Sequence, residues 1–257
     1  MMSPATSSVT PLRAGALELE RQARIDLAAC YRLVAHFGMD DLVYTHISAR
    51  VPGHPDQFLI NPYGMMFHEI TASSLVKVDR EGKILDDTPY PVNLAGIVIH
   101  SAVLSGRPDV NCVVHTHTRA GVAVSCLEQG LMPINQFALM FHGRLAYHDY
   151  EGIALDFDEC SRLQMDLGDK AAMILRNHGL LTVGRTIPDA FSLIYYLEQS
   201  CRVQLDLMAA GGKITTLSPE VCERTANQFG NSPVPRGERE WPALLRLLDV
   251  KDPSFRD

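Results

Sequence analysis

At 257 residues the chain can hold one large domain or two small ones, and with 46% hydrophobic residues it can build a sizeable core. A formal net charge of −7 with no Lys/Arg cluster argues against nucleic acid or an anionic membrane surface as a partner. Six cysteines without a C-x-x-C pair suit reduced thiols in a cytoplasmic protein; no secretory signal is visible, and no apolar run approaches the ~20 residues a membrane helix needs.

Residues 1–19, small and polar at their start, are expected to be disordered, with helical spacing of apolar residues setting in from Leu17 to Phe37. Leu27, Tyr31 and Val34 share one face of that helix, and Gly38 is its stop. Ile47, Ala49 and Val51 alternate with His46, Ser48 and Arg50, the pattern of a half-buried strand. Phe58 to Asn61 reads as another, ending at the turn Asn61-Pro62-Tyr63-Gly64. A hairpin loop is expected at Asp79 to Gly82, between Leu75–Val78 and Lys83–Leu85. Val92 to Leu104 reads as a buried helix. A strand at 111–117, a helix at 119–128, a short strand Arg144–His148 and a helix at 158–168 follow. Next comes a strand Ala171–Leu175, which Leu180–Val183 continues past a break at His178-Gly179. The last long helix, Pro188 to Ala210, has Pro near its start and Gly211-Gly212 past its end. No linker interrupts this order, so residues 20–212 read as one α/β domain with helices on a mostly antiparallel sheet. The tail, 213–257, should carry short helices, and Trp241–Leu248 is a candidate to dock on a neighbouring subunit.

The densest chemistry lies in Val113-Val114-His115-Thr116-His117. Successive strand residues alternate faces, so His115 and His117 point the same way. A third imidazole, His178 in Arg176-Asn177-His178-Gly179, could complete a three-histidine metal site with an open position, the usual arrangement of catalytic zinc. Gly179 is expected to let the backbone turn sharply beside it. Of the other histidines, His36 and His54 read as solvated and His100 as a hydrogen-bonded core residue. His46, His68, His142 and His148 sit at loops or strand edges.

The runs Arg107 to His117 and Arg176 to Gly184, in this order, resemble those of the class II aldolase/adducin family, over roughly residues 20–212. The resemblance implies a three-layer α/β/α sandwich with a central, mostly antiparallel sheet. It also implies Zn²⁺ on His115, His117 and His178, and a homotetramer with active sites at subunit interfaces. Mn²⁺, Fe²⁺ or Co²⁺ would suit similar ligands. Phe58–Gly64, Ile70–Asp79 and Ala146–Tyr150 are most similar to the adducin head domain. Sugar-phosphate aldolases of this family carry a Ser-Ser-Glu segment before a helix histidine, and its glutamate serves as acid/base. Counting back from His100, this chain has Leu94-Ala95-Gly96, so Gly96 stands at the carboxylate position. The family's Gly-Asn phosphate loop reads Thr45-His46, and its Thr-Gly pair reads Tyr63-Gly64.

These departures point away from a phosphorylated sugar. The expected activity is a carbon–carbon lyase of aldolase or decarboxylase type on a small, unphosphorylated hydroxy or keto acid, through a zinc-stabilised enolate. Thr45, His46, Asn61, Gly64 and Gly96 are the candidate substrate-pocket positions. The candidate proton carriers are His46, His142, Tyr147, His148, Asp149 and zinc-bound water; His148 leads, because an imidazole titrates near working pH, and Tyr147 or Tyr150 as an acid ranks below it. Thr71 to Ser74 reads as a turn or cap motif. The alternative is a non-catalytic oligomeric module similar to the adducin head, which kept the histidines and lost the chemistry at Gly96.

Overall fold

Runs rich in Val, Ile and Leu are dispersed along the chain, and they meet in one seven-stranded sheet. The computed structural model describes residues 11–153 and 157–257. The strands are β1 (His46–Val51), β2 (His54–Ile60), β3 (Val76–Asp79), β4 (Cys112–Thr116), β5 (Leu145–His148), β6 (Ala172–Leu175) and β7 (Gly179–Gly184). Their spatial order is β3-β2-β1-β4-β7-β6-β5. Every neighbouring pair is antiparallel except β5 with β6, so the sheet is mostly antiparallel, as expected.

Helices cover both faces because alternate residues on both sides of the central strands are apolar. Cys112 and Val114 of β4 join one core with α1 (Pro11–His36) and α6 (Ile187–Ala210). Val113 joins a second core on the other face with α2 (Leu94–Gly106) and α5 (Cys160–Leu167). The result is an α/β/α sandwich. α2 is buried from Gly96 to Leu104, and Asn93 caps it by accepting a hydrogen bond from Ala95 N. Thr186 likewise caps α6, whose far end is closed by Gly211 in a left-handed turn (φ 65°).

Several expectations change. α1 begins at Pro11, so residues 11–19 of the segment read as disordered are helical, while residues 1–10 lie outside the described residues. The Leu, Arg, Ala and Glu of this stretch are good helix formers and prolong the helix past its packed turns. β1 is buried on both faces, because α2 covers the side carrying His46 and Ser48. Residues 171–183 are not one interrupted strand. Leu175 pairs with Gly179, and the three residues between them, with Asn177 at φ 55°, close a hairpin of β6 and β7. Beyond Gly82 only Ile84 bridges back to β3.

The tail is not separate from the domain core. After α7 (Pro219–Gly230), α8 (Trp241–Lys251) and a 3-10 turn (Pro253–Arg256) bury Trp241, Leu248 and Phe255 in the same core as α1. Trp241 Nε1 donates to Asp26 at 3.0 Å and Ala72 N donates to Phe255 O at 3.0 Å. The segment therefore docks on its own chain. Among the described residues no helix is long and apolar enough to cross a membrane.

Candidate metal centre

β4 lies between β1 and β7, and its Val113-His115 face looks toward α2. His115 is almost fully buried there, and His117 follows directly beyond the strand's last residue. The β6–β7 hairpin loop carries His178 to the same strand end. The approach is close: a Cβ on Gly179 would stand 2.4 Å from Thr116 O, so only glycine fits. Gly179 thus serves close backbone contact, while the left-handed turn residue is Asn177. His117 Nε2 lies 2.9 Å from both His115 Nε2 and His178 Nε2. Among the described residues these three form the one cluster of metal-ligand type, with ligand atoms all within 4.8 Å of one another.

The ring tautomers follow from the outer partners. His115 Nδ1 faces Leu180 O at 3.0 Å, and a carbonyl can only accept, so this nitrogen carries the proton. His117 Nδ1 faces Asp41 Oδ2 at 3.1 Å, a carboxylate that orients the ring in the same sense. Their Nε2 lone pairs are then directed at each other, an arrangement that a shared cation turns from repulsive to favourable. Burial holds His115 well below the usual histidine range, assisted by the neighbouring imidazoles. Burial, then the charges of His117 and His148, pushes His178 down to about 4. Neutral imidazoles are the form that binds metal, so the donor set fits a transition-metal ion.

His46 stands opposite His115 in the β1–β4 ladder, with ring centroids 5.1 Å apart. Its Nδ1 meets His100 Nε2 of α2 at 2.9 Å, and His100 Nδ1 meets Ser48 Oγ. Burial keeps His46 well below its ordinary value and lowers His100 to about 3. Gly96 is explained by this ring: a Cβ there would come within 2.8 Å of His46 Cδ2. His46 thus fills the space into which a side chain at position 96 would grow. Thr45, at φ 64°, is buried, and its Oγ1 has no hydrogen-bond partner. Together with the three ligand-type histidines, Thr45 and His46 line a cleft of about 360 Å³.

The remaining candidates separate. Tyr147 is not in the cleft. Strand alternation turns it to the α1–α6 side, where its Oη accepts from Leu131 N at 3.1 Å and Arg176 lies over its ring. His148 is buried beneath α5, with Nδ1 on Asp166 at 2.7 Å and Nε2 on Glu159 at 3.3 Å, so both ring nitrogens are engaged away from the cleft. Asn61 is tied into the core, its Oδ1 accepting from Tyr31 Oη at 2.8 Å. Gly64 takes φ 101° in the turn that presents Tyr63 to the cleft. Thr71 to Ser74 forms a self-bonded turn. Sequence reasoning missed Asp41, Tyr44 and the lining role of Tyr63. Nothing in the local pattern separates Asp41 from Asp40 beside it. Tyr150 lines the cleft, near His178, where Tyr147 does not.

Residues 25–205 match the family described as Class II Aldolase and Adducin N-terminal domain. A Pseudomonas aeruginosa protein, named provisionally as an aldolase class 2 protein, is 52% identical over 92% of this chain and 93% of its own. Alpha-adducin of Rattus norvegicus is 42% identical over 90% of this chain, which spans 33% of the adducin. Among solved structures, an aldolase II superfamily protein from Pseudomonas syringae is 47% identical with TM-score 0.88, covering 97% of this chain and 98% of that one. An L-fuculose 1-phosphate aldolase from Glaciozyma antarctica PI12 is 28% identical with TM-score 0.84, covering 100% and 97%.

Proposed function

The chain belongs to the class II aldolase and adducin N-terminal domain family, and from that premise we propose that it is a metal-dependent carbon–carbon lyase of aldolase or decarboxylase type. Its proposed substrate is a small, unphosphorylated hydroxy or keto acid. The observation that carries this reading is the trio of Nε2 atoms, two of them held as lone-pair donors by Leu180 O and Asp41. His115, His117 and His178 would hold the ion, proposed as Zn²⁺, with Mn²⁺, Fe²⁺ or Co²⁺ suiting the same ligands. Bound there, it supplies Lewis-acid stabilisation of negative charge developing on a substrate oxygen.

The chain's own residues would do the rest. Thr45 lines the cleft, and its buried Oγ1, which has no partner, is the proposed donor to a substrate oxygen. His46 is the proposed proton carrier in place of His148. Its Nδ1 is engaged by His100, which leaves Nε2 for the substrate. His100 and Ser48 fix the ring, and Gly96 leaves room for it. The proposed assembly is a homotetramer in which a neighbouring subunit closes the cleft, in the cytoplasm, where six free cysteines are at home.

The second reading, a non-catalytic module, is favoured by two observations, the 42% identity to alpha-adducin and the glycine at position 96 in place of a carboxylate. Elemental mass spectrometry on the native protein and on His117→Ala separates the two. About one transition metal per chain, lost in the variant, is expected for the lyase. A native protein that carries no metal and takes up none on adding Zn²⁺ leaves the non-catalytic module.

A further inference from the structure

We propose that the substrate's remainder, beyond the metal-binding hydroxy-carbonyl head, is an uncharged aromatic group. This deepens the lyase reading and rests on it. The cleft is polar at its floor and aromatic at its mouth. Tyr44, Tyr63 and Tyr150 are 47%, 39% and 53% exposed, large values for rings that all border one cleft. Ile153, also exposed at the cleft, adds aliphatic surface. Phenol rings so placed stack on a planar ring and can still bond water at their rim.

Charge points the same way. Among the described residues no Lys or Arg lines the cleft. The adjoining small cavity, which shares Tyr150 and His178, carries Asp149, Glu151 and Glu159. Among the described residues its one cation, Arg176, turns away to donate to Leu127 O at 2.6 Å and to cover Tyr147. The nearby Arg162 is committed to Glu151. The N-terminus of α2 opens on the cleft, but Asn93 Oδ1 already accepts from Ala95 N there. Within this subunit, among the described residues, a phosphate dianion would meet carboxylates and no free cation, whereas a neutral ring would meet three phenol rings and the exposed Ile153. The head group's own negative charge falls to the metal.

Titration calorimetry on the Zn²⁺-loaded protein tests this with three hydroxamates that share one bidentate head. Phenylacetohydroxamate should bind about tenfold or more tighter than acetohydroxamate, and a phosphonate-bearing hydroxamate no tighter than acetohydroxamate. Tyr63→Ala and Tyr150→Ala should each shrink the phenyl-to-methyl ratio several-fold, with metal loading measured alongside. Equal affinities, or preference for the phosphonate, overturn the aromatic class and leave the metal reading standing. Failure of all three probes to bind, or of the protein to take up metal, overturns both.

Discussion

At the level of single residues, the centre depends on partners that hold the ligands as much as on the ligands. Asp41 sits 3.1 Å from His117 Nδ1 and sets which nitrogen faces the cluster. Asp41→Asn keeps the shape and removes the charge, so metal affinity should fall about 10–100-fold while the fold is retained. Competition with a chromogenic chelator reads the affinity, and circular dichroism checks the fold. An unchanged affinity would mean that the carboxylate has no part in orienting His117. The His115/His117 pair was legible from i, i+2 spacing on a strand. Asp41 was not, because a loop carboxylate gains its partner 76 positions away only when β4 is placed.

Among the elements, the C-terminal helix is the largest departure from the reading of the chain as a domain plus tail. α8 and the following 3-10 turn pack on α1, with Phe255 fully buried against the segment around Ala72. Phe255→Ala should therefore cost about 3–5 kcal/mol, as for a core aromatic. Urea denaturation measures it, and a loss below about 1 kcal/mol would show that the turn is merely attached. The β6–β7 hairpin is the other departure. Apolar periodicity marked both strands but could not say whether they ran on or folded back, since both arrangements bury the same residues. Asn177 in the left-handed region decides it, and the fold-back is what carries His178 to His117.

The whole molecule stores several histidines in neutral form between the sheet and α2. His100 is fully buried, and its pKa is lowered to about 3 from an ordinary 6.5 by burial. A folded pKa below the unfolded one means that the unfolded chain binds more protons in that window. The stabilising difference is fully present above pH 6.5 and is lost as pH falls toward about 3. At about 1.36 kcal/mol per pKa unit, His100 alone accounts for on the order of several kcal/mol at the acid end. The melting temperature should hold from pH 8 to about 6.5 and then drop, less steeply in His100→Gln. A bound metal would add a fall of the same sign, because its imidazoles must stay neutral, so the series is run with and without chelator. A variant that melts with the wild-type pH slope would remove His100 as a cause.

What the sequence determined by itself was local and periodic. The approximate strand and helix positions, the glycine stop after the long helix Pro188 to Ala210, and the three metal-type histidines follow from spacing and side-chain chemistry, which act over a few residues. Only the tertiary structure decided which polar groups share a space. It put Asp41 behind His117, His46 into the volume beside Gly96, Tyr150 in the cleft and Tyr147 outside it, and the tail in the core. Those outcomes are set by packing between segments far apart in the chain, and hydrogen bonding and burial acquire their values only after that packing is complete.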